Sequence, residues 1–420
     1  MVVFMEVKLL GGAGEVGRSG ILLKGEKNIL LDYGIKIDGK TEYPLAAGRV
    51  DAFVLSHAHL DHSGYAPALY HDSMPVSFGT EPTLRLAELL IEDSIKINRL
   101  KKARQRFTKN DLKRFVQRYV SYPYHAPIDF GGYRITLYDA GHIAGSSITL
   151  VEHMKSGKRI AYTGDFKLSP QTLHLGAEKV EADVLITEST YATREHPVRE
   201  ELVRLFVESV KEIVENGGTA LIPAFAVGRS QEILSILYKN RLADRTYVDG
   251  MSKKATEIVL RHPDFSDGID ALLGAVREST VISDPYERHG ALEGGSVVVT
   301  TAGMLNGGPV LDYITRLNSK SMIFLTGYQA EDTNGRRLLD NKPIIVDKRN
   351  YFVKTPFAFY DLSAHAGQDD LYKYIKMVNP EKVLCVHGDA ESTGSLKEQL
   401  ELEGLEAYAP KMGESVKLGF

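Results

Sequence analysis

Six consecutive positions carry most of the residues that could do chemistry. His57, His59 and His62 supply three imidazoles, and Asp61 supplies a carboxylate. The apolar run 52–55 precedes them and predicts a strand that would hold the group on a rigid loop. These donors at this spacing favour zinc, and two ions rather than one. A histidine-rich surface loop without metal is the rarer alternative.

Other residues able to bind a metal follow strand-like runs elsewhere in the chain. Chemistry collected at strand ends is typical of α/β folds. Helical periodicity between the runs, in 82–97, 200–215 and 230–238, predicts a layered α/β architecture. The residues that end the runs are Asp32, the 57–62 group, His142, Asp165, Glu188 and His387.

Length and composition limit the class of protein. A chain of 420 residues predicts two domains, and 43% hydrophobic with 25% charged residues is typical of soluble globular proteins. No apolar stretch approaches the length of a membrane span, and the N-terminus lacks a signal-peptide pattern. The single cysteine, Cys385, requires no oxidising compartment. We therefore expect a cytoplasmic protein without a membrane partner.

The net charge of −4 conceals a strongly basic segment. From Lys96 to Arg118, ten Lys or Arg stand against one acid, Asp111, so the segment carries +9 and the remainder −13. A basic helical stretch of this kind is typical of surfaces that bind phosphate backbones. A solvated helix face explains the charge alone equally well.

A glycine motif suggests a nucleotide site but lacks the right context. Gly12, Gly14 and Gly17 fit the dinucleotide fingerprint. The following residues, 19–31, predict a β-hairpin rather than the helix whose N-terminus would bind a pyrophosphate. We expect the glycines to permit tight turns near the metal site.

An ordered set of motifs runs nearly from end to end. With them the chain resembles the metallo-β-lactamase-fold hydrolases of the β-CASP nuclease group, and among these the archaeal homologues of the endonuclease subunit of the cleavage and polyadenylation specificity factor, in a short form without KH modules. The motifs are GAGEVGRS (12–19), LDYG (31–34), SHAHLDH (56–62), AGHIAG (140–145), YTGDF (162–166), ESTY (188–191), IPAFAVGRSQE (222–232), GYQAE (327–331), SAHA (363–366) and VHGD (386–389).

The resemblance implies an α/β architecture. A four-layer αββα metallo-β-lactamase domain would comprise 1–194 and 348–420, with an α/β β-CASP domain inserted at 195–347. RNA would pass between the two domains.

The resemblance also implies a ligand set for two zinc ions. Asp165 would bridge the ions, and Asp32 would orient ligands through hydrogen bonds. Such a pair activates a water as hydroxide, and hydrolysis would leave 5′-phosphate and 3′-hydroxyl ends. The first zinc would be bound by His57, His59 and His142, and the second by Asp61, His62 and His387.

Further roles follow from the same resemblance. Beside Asp61, the catalytic residues would be His365, as general acid, and Glu188, which holds its ring. His387 stands where DNA-directed members typically have Val, which favours RNA. The expected phosphate contacts are Arg229, Ser230, Arg336 and Arg337, although surface charge explains them equally well.

The expected function is therefore that of a zinc-dependent ribonuclease on single-stranded RNA, in processing, 3′-end maturation or decay. Endonuclease action is favoured, and 5′→3′ exonuclease action stays open. The alternatives are a DNA-directed β-CASP nuclease, which His387 disfavours, and a non-catalytic RNA-binding scaffold, which the complete ligand set disfavours. A hydrolase of small thioesters or lactams would lack the insert. A homodimer, and association with other RNA-processing or transcription-termination factors, stay open.

Overall fold

Apolar runs and amphipathic segments form the strands and helices of the computed structural model, which describes residues 5–38, 40–71 and 73–419. The strands in chain order are β1 (Glu6–Gly11), β2 (Gly20–Lys24), β3 (Ile29–Leu31), β4 (Lys36–Asp38), β5 (Lys40–Glu42), β6 (Ala52–Val54), β7 (Val76–Gly79), β8 (Tyr119–Ser121), β9 (Ile128–Phe130), β10 (Tyr133–Asp139), β11 (Ser147–His153), β12 (Lys158–Tyr162), β13 (Val184–Glu188), β14 (Thr219–Pro223), β15 (Thr246–Asp249), β16 (Thr280–Val281), β17 (Ser296–Thr300), β18 (Met322–Leu325), β19 (Ile344–Val346), β20 (Arg349–Tyr351), β21 (Phe357–Phe359), β22 (Lys382–Val386), β23 (Glu406–Tyr408) and β24 (Ser415–Lys417). The α-helices are α1 (Leu60–Ser63), α2 (Glu81–Leu100), α3 (Lys109–Arg118), α4 (Arg199–Glu215), α5 (Arg229–Lys239), α6 (Ser252–Leu260), α7 (Ile269–Glu278), α8 (Val310–Ile314), α9 (Asn334–Leu339), α10 (Gln368–Val378) and α11 (Ala390–Leu402). Short 3-10 helices lie at Ala66–Tyr70, Ala243–Arg245, Pro263–Phe265, Pro285–Arg288 and Gly290–Leu292.

The chain divides into two units, one of which is inserted in the sequence of the other. The first unit comprises Met1–Pro170, Leu175–Glu195 and His365–Phe420, and the second comprises Gln171–His174 and His196–Ala364. The predicted insert ends at 347, whereas 348–364 belong to the second unit. The physical reason is that β21, in this segment, pairs in parallel with β18.

The first unit has four layers. Its two seven-stranded sheets have the orders β24-β1-β2-β3-β6-β7-β8 and β23-β22-β13-β12-β11-β10-β9. Alternate residues of most of these strands, such as Val54 and Val184, fill one core between the sheets. On the outer face of the first sheet Phe53 contacts Phe115 of α3, with ring centroids 6.1 Å apart. On the outer face of the second, Leu185 packs in a core with residues of α10 and α11. The αββα prediction is confirmed.

The second unit is built on a six-stranded sheet in the order β16-β15-β17-β14-β18-β21. Every pairing in it is parallel. Residues 296–300 and 219–223 are buried along their whole length, as expected for strands covered on both faces. The predicted inserted α/β domain is confirmed.

The predicted helices are confirmed with small changes in their bounds. The periodic segments 82–97, 200–215 and 230–238 lie in α2, α4 and α5.

In the described part of the chain, no helix is both long and apolar enough to cross a membrane.

The basic helical stretch expected between residues 96 and 118 is divided in the structure by a loop. Helix α2 ends at Leu100 and α3 begins at Lys109. The hydroxyl of Thr108 accepts the backbone N–H of Asp111, while the Asp111 carboxylate accepts the N–H of Thr108, which makes a capping box. This cap starts a new helix, so the basic residues lie at the end of α2, in the loop that follows it, and along the whole of α3.

Candidate metal centre

Four ligand-type residues from three separate segments meet at the ends of β6, β10 and β12. His57 and His59 follow β6, His142 follows β10, and Asp165 follows β12. One donor atom from each lies within 4.8 Å of the others. His142 Nε2 is 3.2 Å from His59 Nδ1, and His57 Nε2 is 3.5 Å from Asp165 Oδ2. This set could hold one metal ion.

A second set shares Asp165 with the first. It contains Asp61 and His62 on α1 and His387 at the end of β22, again with donors within 4.8 Å of one another. Asp165 Oδ1 lies 2.9 Å from His387 Nδ1 and 3.3 Å from His62 Nε2. His387 Nε2 lies 3.5 Å from Asp61 Oδ2. The structure therefore brings together the two sets that the resemblance implied, with one oxygen of Asp165 toward each.

Buried polar atoms at this centre fit a metal. Among the described residues, His57 Nε2, His62 Nε2, Asp165 Oδ1 and both ring nitrogens of His387 are buried without a hydrogen-bond partner. They approach one another closely, but not with hydrogen-bond geometry. Leaving such atoms unsatisfied costs about 1–3 kcal/mol each. Imidazole nitrogen and carboxylate oxygen are suitable ligands for zinc, so metal coordination would satisfy them.

The electrostatics of the centre favour a cation. Burial, together with the His62 ring, lowers the pKa of His57 well below its ordinary value. Burial opposes protonation of His387, but Asp165 outweighs it and raises the pKa of His387 to about 10. Although burial raises it, the pKa of Asp165 is held well below its ordinary value by His387 and His62. The carboxylate is therefore ionised, and a bound cation would replace protons on the rings.

Asp32 lies behind His62 and is fully buried. Its Oδ2 is 2.6 Å from His62 Nδ1 and accepts the hydroxyls of Ser56 at 2.6 Å and Tyr162 at 2.8 Å. Its Oδ1 accepts the Ser56 N–H at 2.7 Å. These contacts fix the ring so that its Nε2 faces the second set of candidate ligands. Ser56 and Tyr162 were not identified from sequence, although both lie within the motifs that carry the resemblance.

His365 and Glu188 form a pair beside the two sets. His365 Nδ1 lies 3.0 Å from Glu188 Oε2 and 3.8 Å from Asp165 Oδ2. The other oxygen of Glu188 accepts the Phe166 N–H at 2.8 Å. The His365 and His142 rings are 4.9 Å apart. Burial lowers the pKa of His365, but Glu188 and Asp165 outweigh it, so the pKa is raised. The ring can therefore carry a proton beside the metal centre.

The glycine motif supports the centre through its backbone. Gly12 has φ +69°, and its carbonyl accepts the His387 N–H at 2.6 Å. Residues 20–24 and 29–31 pair in antiparallel fashion, which confirms the predicted hairpin in place of a nucleotide-binding helix. Gly34 was not identified from sequence. A Cβ at Gly34 would lie 1.7 Å from the Asp61 carbonyl, so only glycine lets the chain pass this close to α1.

The four expected phosphate contacts all lie in the second unit. Arg229 and Ser230 begin α5 and are buried, and the Ser230 hydroxyl donates to a backbone carbonyl at 2.7 Å. Arg336 forms an ion pair with Asp340 at 3.1 Å, and Arg337 donates to a backbone carbonyl at 2.6 Å. Each of the four residues is therefore either buried or bonded to a neighbouring group of the second unit. Their role in phosphate binding stays a prediction.

Known families match successive parts of the chain. The Beta-Casp domain matches residues 230–338, and the Zn-dependent metallo-hydrolase RNA specificity domain matches 352–410. The family of the anti-Pycsar protein Apyc1 matches 16–214. The chain is also similar in fold to a protein of unknown function from Enterococcus faecalis, with a TM-score of 0.60, 17% identity, and coverage of 99% of this chain and 100% of that one.

Relatives in archaea are similar over nearly the whole length. The chain is 37% identical to the probable RNase MJ4 of Methanocaldococcus jannaschii, over 99% of this chain and 100% of that protein. It is 37% identical to RNase aCSPSF2 of Saccharolobus solfataricus, over 98% and 85%. It is 32% identical to the transcription termination factor FttA of Thermococcus kodakarensis, over 97% and 70%. The chain therefore belongs to the β-CASP ribonuclease family of metallo-hydrolases that includes these archaeal proteins.

Proposed function

We propose that the protein is a two-zinc ribonuclease that cuts single-stranded RNA internally and leaves 5′-phosphate and 3′-hydroxyl ends. Relatives named as RNases support RNA as the substrate. The observation that carries the two-ion proposal is Asp165, whose two oxygens face two separate sets of three further ligand residues. A single-ion site would not need a shared carboxylate at its centre.

The ligand residues have defined tasks in this proposal. Zinc ions held by these residues would supply Lewis-acid chemistry, which would lower the pKa of a water toward about 7 and neutralise charge on the phosphate. Asp165 fixes the spacing of the two sets, and Asp32 fixes the tautomer of His62. The first ion would be held by His57, His59, His142 and Asp165, and the second by Asp61, His62, His387 and Asp165.

His365 would move the proton. Its Nδ1 is held by the buried carboxylate of Glu188, and its Nε2 would protonate the departing 3′ oxygen. The side chain is 23% exposed, so part of the ring is accessible to a substrate that enters from solvent. The pair thus keeps proton transfer separate from metal binding.

The cellular role we propose is RNA processing, 3′-end maturation or decay. A relative named as a transcription termination factor supports association with transcription-termination or RNA-processing factors. His387, at a position where DNA-directed members typically have valine, supports RNA over DNA. The second candidate is a DNA-directed nuclease, because the hydrolysis does not use a 2′-hydroxyl.

A digest of doubly labelled RNA tests the proposal. Each RNA carries one label at its 5′ end and one internally, with either a mono- or a triphosphate at that end. We expect fragments rather than mononucleotides as first products, 5′-phosphates at the new ends, and slower cleavage of a matched DNA. Equal rates on RNA and DNA would favour the second candidate. Mononucleotides as first products would show that the protein is an exonuclease rather than an endonuclease.

A further inference from the structure

Three tyrosine rings and one guanidinium form a stack in the first unit. The Arg106 guanidinium carbon lies 4.4 Å from the centroid of the Tyr43 ring. The Tyr43 ring is 4.6 Å from that of Tyr65, which stacks on Tyr33 at 5.0 Å. Arg106 is exposed, Tyr43 and Tyr65 are partly exposed, and Tyr33 is buried. The stack therefore runs from solvent into the protein, and we call Tyr43, Tyr65 and Arg106 the aromatic platform.

Backbone hydrogen bonds connect the inner end of the stack to the metal centre. The Tyr65 N–H donates to the Tyr33 carbonyl, and the Tyr33 N–H donates to the His62 carbonyl, both at 2.8 Å. Tyr65 also follows His62 by three residues, directly after α1. The platform therefore adjoins the helix that carries two of the candidate ligands.

The loop between α2 and α3 brings positive charge to the same place. Lys101, Lys102 and Arg104, which we call the basic loop, are exposed and precede Arg106. Within the described ranges, none of these three side chains pairs with a carboxylate. A salt bridge within the protein therefore does not account for their charge, which is available to anionic phosphates.

We propose that the aromatic platform stacks a base of single-stranded RNA next to the cleavage site, while the basic loop contacts the adjoining phosphates. Aromatic rings combined with arginine and a positively charged surface are how proteins bind single strands without sequence preference. The exposed guanidinium plane of Arg106, which the Tyr43 ring supports from below, offers the stacking surface. The inference rests on the proposed function, because it names where that RNA binds.

The test uses full-length, zinc-loaded protein that carries His365→Ala to prevent cleavage. The sequence contains no tryptophan, so Tyr43→Trp introduces a single fluorescent reporter on the platform. We expect short poly(A) RNA to quench its emission and to bind with near-parental affinity. RNA of the same length with abasic positions, which retains the phosphates, should not quench it.

Affinity and salt dependence separate stacking from charge. Tyr43→Leu should weaken poly(A) binding about 5- to 100-fold without changing the slope of log affinity against log salt. Replacing the three basic-loop residues by Gln should reduce that slope by about 0.7 for each phosphate that the protein no longer neutralises. Lys373→Gln, on the exposed face of α10, is the control and should change neither.

Two results would overturn the inference. One is poly(A) binding unchanged by both Tyr43→Leu and Arg106→Gln. The other is equal quenching of Tyr43→Trp by intact and abasic RNA, which would show that the Arg106 contact only secures the loop. If Tyr43→Leu fails to fold, the affinity of Arg106→Gln and the fluorescence of Tyr43→Trp still show whether the platform binds RNA. Failure of the proposed function can be told apart from failure of this inference. In the first case, the chain with His365 intact would not cleave RNA at all.

Discussion

His365 and Glu188 are held together by a contact of 3.0 Å between ring Nδ1 and carboxylate Oε2, and the carboxylate is fully buried. The second oxygen of Glu188 is occupied by the backbone of the loop that carries Asp165. The pair is therefore oriented from the same loop as the shared ligand, although His365 itself belongs to neither of the two four-residue metal sets.

Substitutions should separate proton transfer from metal binding. We expect His365→Ala to retain both metals and RNA binding but to lose about 10²- to 10⁴-fold in cleavage rate. His387→Ala should lower zinc content because it removes a direct ligand. Glu188→Gln should resemble His365→Ala in milder form. The test is to measure the zinc content and the single-turnover cleavage rate of each variant. His71→Ala, at an exposed histidine, is the control. Metal loss in His365→Ala, or a parental rate, would contradict these roles.

Metal content should follow the sharing of Asp165. We expect close to two zinc ions per active chain, loss of both in Asp165→Ala, and loss of the second in Asp61→Ala, with cleavage abolished in each. The reason is that Asp165 contributes to both sets, whereas Asp61 contributes to one. Elemental analysis provides the measurement. One metal ion or none in fully active protein would exclude the two-ion arrangement.

Loss of the charge on Asp32 should weaken metal binding without removing a ligand. Asp32→Asn keeps the size of the side chain but cannot accept from Ser56, Tyr162 and His62 in the same way. We expect zinc affinity to fall about 10- to 100-fold. Competition with a chelator of known affinity measures this, with exposed Asp129→Asn as the matched control. Unchanged affinity would show that packing alone orients His62.

The second unit should lose stability in acid through Glu232. This buried carboxylate accepts the N–H groups of Thr172 and Leu173 and pairs with Arg199 at 2.5 Å. Burial raises its pKa, but Arg199 and the N–H donors outweigh burial, so the pKa is lowered. Its stabilising contribution is complete above the ordinary glutamate pKa, about 4.3, and is lost as the pH falls through the lowered value.

The matching variant is Glu232→Gln. It should lower the melting temperature at neutral pH, because breaking a buried ion pair costs about 3–5 kcal/mol. The difference from the parent chain should narrow as the pH falls below about 4.3. Thermal melting across pH measures this, and a constant difference would contradict it. Glu201→Gln, on the exposed face of α4, is the control.

Sequence reasoning identified the candidate metal centre because its residues have short-range signatures. His57 to His62 lie within six residues, and the other candidates end strand-like runs. It did not identify the partners of Asp32, because Tyr162 is 130 positions away and only tertiary structure makes them neighbours. The contact of Arg106 with the Tyr43 ring could not be predicted from the sequence for the same reason.

Local chemistry also explains the errors at boundaries. The charge pattern of residues 96–118 did not reveal the loop between α2 and α3, where the reciprocal bonds of Thr108 and Asp111 start a new helix. The β21 strand was assigned to the returning domain because no motif marks its parallel partner. Neither error affected the ligand set.

The position of His387 in the chain has a consequence for protein synthesis. Its strand, β22, lies between β13 and β23 in the sheet, and β24 extends the other sheet beside β1. Five of the seven ligand residues are translated by residue 142 and Asp165 soon after, but the set is incomplete until residue 387 has left the ribosome. A nascent chain would therefore lack the complete candidate ligand set until that residue has emerged. Contacts so distant in sequence also slow folding, so the order of synthesis would itself delay completion of the candidate metal centre.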